Sequence, residues 1–474
     1  MKALRVCFGL AVTFEFVVLA VLASSAHADA VCGRTCAPDP TSPGYGNTLA
    51  AMTSAPNLRG GKSVYHSVAA ASHVNAAGFK VATQAGSQSY SYAVPVLSLP
   101  GRAGLDLNLT LHYNSRIWDV DSATNTVTFN PDRDSPSYGF RLDFGFLEFD
   151  STHSKYILVE GDGTKRQLTA SGSNYVSTDS SFIQYTPVSL TLYYKNGTRV
   201  FYQVFPTQAT LYQPIKIEDT NGNYITITYR TDTWATGGLE IDTITDTVGR
   251  AITFGYDPTS HSLTSVFQGT TTYLQLFWNT SYTFNYAFTG LTVQNSPTSG
   301  STLPAVLDHC TLGNGTGYYF TYGDWALINR IDFKSSSGSL RSYVSYNFPL
   351  ASTALSDAPT YTTQTVFDGV NAPSWQYAVS KTGHVVNWMT VTDVYGTVTK
   401  TSLGSSLVSS ITIAPSGGSA LRTSTNTWSS GNNPTLSNVV TTLNDSGEQF
   451  KNSVSLRRQR KCEGSSGIRL RSGL

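Results

Sequence analysis

One turn-and-strand pattern occurs twice in close succession and constrains the fold more than any other feature of the sequence. Residues 219–229 read Asp-x-x-Gly-x and then alternate apolar and polar side chains up to a Tyr, and residues 246–257 repeat this order. The motif positions are Asp219, Gly222 and Tyr229 in the first copy, and Asp246, Gly249, Arg250, Tyr256 and Asp257 in the second. Weaker copies cover residues 315–323, 338–346, 392–399 and 443–448.

The chemistry of this repeat predicts paired strands. An Asp carboxylate tightens a turn, and a Gly supplies the left-handed backbone that the turn needs. The strand that follows alternates, so one of its faces packs and the other meets solvent. A two-strand unit cannot bury its apolar face alone, and the units must therefore stack side by side into a growing sheet.

The rest of the chain also carries strand signals. Residues 105–113 alternate strictly, and Asn196-Gly197 joins two strand-like runs as a hairpin turn. Aromatic residues make up 12% of the chain and charged residues 13%, a mixture that suits pleated surfaces better than helices. No stretch shows a helical apolar period, so the sequence predicts an all-β, antiparallel fold.

The repeats resemble those of the RHS/YD-repeat family. Residues 244–257 are similar to the family's repeat, with Tyr256-Asp257 as the eponymous pair, and residues 138–142 are similar to a Gly-Trp-Arg-like stretch of its N-terminal region, with Phe140 in place of Trp. The resemblance covers about residues 90–450. It implies an antiparallel ribbon of YD-type β-hairpin repeats forming part of a curved or hollow β-shell. In this family such shells enclose a C-terminal toxin or act in cell-surface contact.

The sequence divides into five predicted regions. Residues 1–28 are predicted to be a signal peptide and residues 29–89 a flexible leader rich in Gly, Ala and Ser. Residues 90–215 form an N-terminal β region, and residues 216–450 form the YD-type repeat sheet. Residues 451–474 are predicted to be a basic disordered tail.

The first residues predict export. Lys2 and Arg5 precede an apolar run over residues 6–23, and Ala26-His27-Ala28 fits a cleavage site, with Ala28-Asp29-Ala30 as the alternative. We therefore expect a secreted or cell-surface protein; a single membrane anchor is the other interpretation of the same run.

The cysteines near the predicted cleavage site leave two alternatives open. Cys32 and Cys36 are spaced to close a small disulfide loop in an oxidising compartment, or they remain free thiols.

The end of the sequence departs from the family. Members that enclose a toxin are longer and carry a conserved core motif ahead of the cargo, and this sequence shows neither. Arg457-Arg458-Gln459-Arg460-Lys461 stands where the next repeat strand is expected. We expect a truncated or frame-disrupted product that carries the first part of a shell; the alternative is a genuine basic tail that binds an acidic surface.

Partners follow from the same comparison. A toxin cargo in a longer parent or a cell-surface glycan would fit the family, and the edge strands of an incomplete shell predict edge-to-edge self-association. The net charge is +1, and the tail from Lys451 onward carries about +6, which leaves about −5 for the body, so no nucleic-acid partner is expected.

No residue is predicted to be catalytic or to bind a cofactor or metal. Asp219-x-Asn221-Gly222-Asn223 resembles the opening of a calcium loop, but Arg230 stands where such a loop needs a bidentate Glu. The densest acidic group is best interpreted as solvated strand ends rather than as a glycosidase pair; it comprises Asp143, Glu148, Asp150 and Glu160.

A secreted carbohydrate-binding or carbohydrate-cleaving β-protein is the alternative function. Its sugar platform would consist of aromatic residues, either Tyr318, Tyr319, Phe320 and Tyr322 or Trp375 and Tyr377. Cross-strand aromatic ladders, which contribute about 0.2–1 kcal/mol per pair, are the favoured explanation of the same residues. The sequence therefore favours a non-enzymatic structural protein.

Overall fold

The computed structural model describes residues 69–74, 80–84 and 89–453, except for 122, 130–134, 143, 152, 180, 206–207, 231–239, 303–304, 406 and 431–433. Within these ranges the chain forms strands β1 to β35 and short 3-10 turns at Arg102–Gly104, Pro187–Ser189 and Asp324–Ala326. No helix in this part of the chain is long and apolar enough to cross a bilayer. The prediction of an all-β fold is confirmed.

The strands up to residue 141 build a first sheet and a separate hairpin. They are β1 (Ala69–Val74), β2 (Lys80–Gln84), β3 (Tyr90–Leu99), β4 (Leu107–Asn114), β5 (Trp118–Asp121), β6 (Thr126–Phe129) and β7 (Phe140–Arg141). The first sheet is antiparallel with the order β1-β2-β3-β4-β7, and β5 pairs with β6. In β4 the buried and exposed residues alternate, as its sequence predicts.

The next eight strands close a ring. They are β8 (Phe146–Asp150), β9 (Lys155–Val159), β10 (Lys165–Ser171), β11 (Asn174–Ser177), β12 (Gln184–Thr186), β13 (Thr191–Tyr193), β14 (Arg199–Phe205) and β15 (Gln208–Glu218). Each pairs with its successor, and Leu211 of β15 returns to Glu148 of β8. Because β15 is 11 residues long, the residues after Leu211 can pair with a further strand. Lys216 pairs with Thr226 of the following strand.

The remaining strands continue from β15 as an antiparallel ribbon with one excursion. The ribbon consists of β16 (Tyr224–Tyr229), β17 (Ile241–Thr245), β18 (Ala251–Tyr256), β19 (Leu263–Gln268), β20 (Thr271–Asn279), β24 (Val306–Leu312), β25 (Gly317–Tyr322), β26 (Ile328–Lys334), β27 (Leu340–Asn347), β28 (Thr363–Phe367), β29 (Ser374–Thr382), β30 (Val385–Thr392), β31 (Thr397–Gly404), β32 (Leu407–Pro415), β33 (Arg422–Trp428), β34 (Leu436–Leu443) and β35 (Gln449–Ser453). The excursion contains β21 (Thr283–Phe284), β22 (Thr292–Gln294) and β23 (Ser301–Thr302).

The first sheet covers one face of the ribbon. A single core joins residues of β3 and β4, such as Tyr92 and Leu109, to residues of β16 through β29, such as Ile244 and Val344. A second core uses ring strands alone and includes Tyr185. Strands β31 to β35 lie outside both cores, and β30 reaches the first core only through Val391; a small cluster around Met389 and Val408 joins β30 and β32. The shell is therefore curved, and its interior is packed where the first sheet lies.

The predicted leader and tail need correction at their inner ends. β1 and β2 lie within residues 29–89, which the sequence analysis assigned to a flexible leader, and β35 extends past residue 450 into the predicted tail. These strands are held by backbone pairing to β3 and β34, which requires no side-chain alternation. Residues 1–68, with the signal peptide and both cysteines of the pair, and residues 454–474 lie outside the described residues.

Candidate functional site: repeat turns and aromatic latches

The same five-residue turn recurs along the described ring and ribbon. In each turn the first residue donates its N–H to the carbonyl of the fifth, and the fourth residue, a Gly, donates to the carbonyl of the first; for Asp246 these distances are 3.0 and 3.1 Å. The turns span residues 160–164, 194–198, 219–223, 246–250, 312–316, 335–339 and 393–397. Their glycines have φ between +80° and +88°, which explains why Gly occupies this position.

The motif aspartates close these turns from within. Oδ1 of Asp246 accepts the N–H groups of Val248 (3.0 Å) and Arg250 (2.9 Å), and Oδ2 accepts Nε of Arg250 at 2.5 Å. In the first copy, Oδ1 of Asp219 accepts the N–H groups of Asn221 and Asn223, and its Oδ2 accepts Nδ2 of Asn223. The oxygens that a calcium loop would use are thus occupied by N–H donors.

These donors also control ionisation. Burial by itself raises the pKa of the Asp246 carboxyl, but the N–H and guanidinium of Arg250 and the N–H of Val248 outweigh it and hold the pKa below its usual value. The same holds for Asp219. Burial by itself raises the pKa of its carboxyl, but the hydrogen-bond donors of Asn223 and Asn221 outweigh this effect and lower the pKa. Hydrogen bonding to the charged form is the cause in both cases.

The second turn also anchors the first sheet. The guanidinium of Arg250 donates to the carbonyl of Pro100 at 2.5 Å, and Oγ1 of Thr247 accepts the N–H of Arg102 at 2.8 Å. Both contacts reach the hairpin between β3 and β4. Arg250 therefore joins its own turn to the layer that covers the ribbon.

At the opposite strand ends, an aromatic side chain donates to a backbone carbonyl 15 residues earlier; we call this contact an aromatic latch. The latches run from Tyr229 to Pro214 (2.8 Å), from Tyr256 to Ile241 (2.8 Å), from Trp278 to Leu263 (3.0 Å) and from Tyr322 to Leu307 (3.1 Å). Each of these aromatics directly follows a shift in strand register, a β-bulge.

Successive latches are linked through the strand pairing. After its bulge Tyr229 pairs with Ile241, whose carbonyl accepts the hydroxyl of Tyr256. Tyr256 in turn pairs with Leu263, whose carbonyl accepts Nε1 of Trp278. Each bulge therefore supplies the acceptor for the next latch.

The first sheet takes the following place in this series. Tyr322 pairs after its bulge with Ile328. The Ile328 carbonyl accepts the hydroxyl of Tyr90 from β3, and the Ile328 N–H donates to the Tyr113 hydroxyl of β4 at 3.0 Å. The sequence motif does not include Tyr90 or Trp278. The 15-residue interval from Ile241 to Tyr256 recurs from Leu263 to Trp278 and was a usable signal for Trp278 alone.

The last motif residue begins a turn of another kind. Oδ1 of Asp257 accepts the N–H groups of Thr259 (2.9 Å) and Ser260 (2.7 Å) at the outgoing end of β18. The eight motif positions thus form two groups. The Asp, Gly and Arg positions of the turns lie at one ribbon edge, and the two tyrosines and Asp257 lie at the other.

The acidic group predicted as strand ends is dispersed. Asp150 contacts His153 at 2.7 Å, and Glu160 accepts Nε of Arg166 at 2.9 Å. Burial raises the pKa of Glu160, with Arg166 opposing it. Glu148 lies in β8 and Asp143 outside the described residues. Within the described ranges there is no group of three or more His, Cys, Asp or Glu that could hold a metal.

The aromatics considered as a sugar platform pack against other side chains. Tyr318, Phe320 and Tyr377 are buried in the core beneath the first sheet, and the partly buried Tyr322 and Trp375 pack against that core. Tyr319 stacks on His309 at 4.6 Å, and His309 stacks on Phe277 at 4.2 Å, both with an interplanar angle of 6°.

Sugar stacking needs open ring faces, and the packing of these rings supports the cross-strand ladder that the sequence favours. Cys310, in the same strand as His309, is fully buried, and its burial raises the pKa of the thiol to about 12.

Comparison with known proteins gives no family. No family model and no curated protein matches the chain. Among solved structures, a TcdB2–TccC3–Cdc42 complex matches at 14% identity and a TM-score of 0.25, over 62% of this chain and 16% of that one. A Photorhabdus luminescens Tc holotoxin pore matches at 11% and 0.28, over 79% and 19%. A porin-like protein from Bacteroides uniformis matches at 11% and 0.18, over 65% and 93%.

Similarity at these identities and TM-scores carries no argument about this chain. The matched regions span less than a fifth of the first two structures. The class of the protein therefore rests on its own turns, latches and strand pairings, which define a hairpin-repeat ribbon.

Replacing Asp246 with Asn should lower stability in a pH-dependent way. Because the folded-state pKa is depressed, the ionised carboxylate stabilises the fold above the unfolded pKa of about 3.9, and this contribution is lost as the pH falls through the folded value. Urea unfolding should show a deficit of about 1–2 kcal/mol at pH 7 that shrinks toward pH 3. Asp242→Asn, at an exposed position, is the control, and an Asp246→Asn deficit equal at both pH values would contradict the assignment.

Removing one latch hydroxyl should weaken the ribbon. Tyr256→Phe leaves the Ile241 carbonyl without its donor and should lower the free energy of unfolding by about 1 kcal/mol. Tyr224→Phe is the matched control, because that ring is 52% exposed and lies in β16 without a latch. Equal stabilities of the two variants would show that the latch contributes nothing.

Proposed function

We propose that this chain is an exported, non-enzymatic structural protein of the RHS/YD-repeat type. Its ribbon builds a wall that encloses a toxin cargo or presents a contact surface in a longer parent. The observation that carries this proposal is the series of linked latches, in which each hairpin prepares the acceptor for the next. A unit that makes its own next attachment point suits a wall extended by repetition.

The distribution of polar groups supports a structural role. The motif aspartates are used by turn N–H groups, and the motif tyrosines are used by backbone carbonyls. These polar side chains therefore stabilise the backbone, and their hydrogen-bonding groups are used within the fold. The same reasoning favours wall formation over catalysis for the repeat region.

Export rests on the N-terminal sequence alone. A basic start, an apolar run and a small-x-small site are the three parts of a secretory signal. A wall protein with a low charged fraction and a high aromatic fraction suits an extracellular surface, which agrees with that signal.

The whole proposal can be tested on one preparation. The full chain, expressed with its own N-terminus, should be recovered outside the cytoplasm with its sequence starting at Asp29, or at Val31 for the alternative site. Light scattering of this material should show association that grows with concentration, because within the described residues β35 pairs with β34 on one side and its Phe450 is 55% exposed. Phe450→Lys should reduce the association.

The control places the same charge away from the edge. Val370, between β28 and β29, is 84% exposed, and Val370→Lys should leave the association unchanged. Retention of Met1 in the recovered protein would contradict a cleaved signal peptide, and recovery from the cytoplasm would contradict export. A monomer at high concentration would contradict the wall with an open edge.

A further inference from the structure

The segments that interrupt the ribbon meet at one of its edges. The chain leaves the ribbon after β20 and returns at β24, and this excursion packs with the β5–β6 hairpin, the turn Asp324–Ala326 and the long connection between β27 and β28. Strand β22 pairs in parallel with β6. In repeat proteins, insertions collect on one face, which is often the binding face.

The backbone at the centre of this region is held in an unfavourable conformation. Trp325 and Ala326 have φ of +71° and +57°, and both are fully buried. Such residues cost about 1–3 kcal/mol each and persist only where the surroundings impose them, typically at ligand sites. Here the Trp325 N–H donates to the Asn285 carbonyl and its indole N–H donates to the Pro349 carbonyl, both at 2.7 Å.

An open cavity of about 360 Å³ lies next to this turn. Its lining comes from three of the interrupting segments and comprises Asn285, Tyr286, Ser299, Asp324, Leu350, Ala351 and Ser352. One carboxylate oxygen of Asp324 accepts the N–H of Ala351 at 2.7 Å, which orients the carboxyl. In the described structure no other protein group bonds this carboxylate, and the side-chain amide of Asn285 and the hydroxyl of Ser352 have no protein partner.

We propose that this cavity binds a neutral saccharide unit. A carboxylate and an amide offer acceptors and donors for neighbouring sugar hydroxyls, whereas Leu350, which is 66% exposed, supplies apolar surface for the C–H face. The lining contains no cationic side chain, so an acidic sugar would meet an uncompensated carboxylate.

This site is separate from the repeat turns, the latches and the aromatic ladder. Its residues come from the segments that interrupt the repeat. The binding therefore adds an activity to the wall, and its presence or absence leaves the structural proposal unchanged.

Isothermal titration of the full chain with three neutral sugars, maltotriose, cellotriose and triacetylchitotriose, tests the proposal. The unmodified protein should bind at least one of them. Asn285→Ala and Asp324→Asn should each weaken that binding by about tenfold or more, since each removes a polar contact in the cavity. Asp324→Asn keeps an oxygen for the Ala351 N–H, and unchanged circular dichroism and melting temperature would show that it folds.

The control is Asn387→Ala, which removes an amide from β30 that bonds Thr382 at 2.8 Å. It should bind as the unmodified protein does. Failure of all three sugars to bind the unmodified protein up to millimolar concentration would overturn the proposal. So would binding that persists unchanged in both cavity variants, or binding of lysine ethyl ester, a cation, in place of any sugar.

Discussion

The latch from an aromatic side chain to a carbonyl 15 residues earlier is the interaction on which the rest of this structure depends. A β-bulge bends a strand but leaves the local ladder incomplete. A buried carbonyl without a donor would be costly. The tyrosine or tryptophan that follows each of the bulges at Tyr229, Tyr256, Trp278 and Tyr322 donates to such a carbonyl, and the ribbon can therefore bend at these strand pairs.

The first sheet extends the same logic to the interior. Tyr90 donates to the carbonyl that comes next in the series, so the covering layer is placed by the ribbon's own pattern. Arg250 holds the other end of that layer at Pro100. Beyond β29 the ribbon loses this cover, and a latch of longer span appears there, from Trp428 to the Val408 carbonyl 20 residues earlier at 2.8 Å.

Local features of this fold could be predicted from the sequence, and long-range ones could not. Asp246 and Gly249 act within five residues, so their turn is readable from the motif alone. Trp278 forms the same latch as the motif tyrosines although it is a different residue type, and Tyr90 bonds Ile328, which lies 238 residues further along the chain. The ring closes where Leu211 pairs with Glu148. This contact is backbone pairing, and no side-chain pattern in either strand predicts it. The cavity beside Asp324 likewise exists only because distant insertions meet.

Native-state hydrogen exchange across the chain tests the central claim most directly, because it reports the opening free energy of each strand. The account predicts that the latched strands covered by the first sheet, β16 to β29, open together at one free energy close to that of global unfolding, and that β30 to β35 open at a lower one. Independent opening of neighbouring hairpins within β16 to β29, or equal protection of β30 to β35, would contradict it.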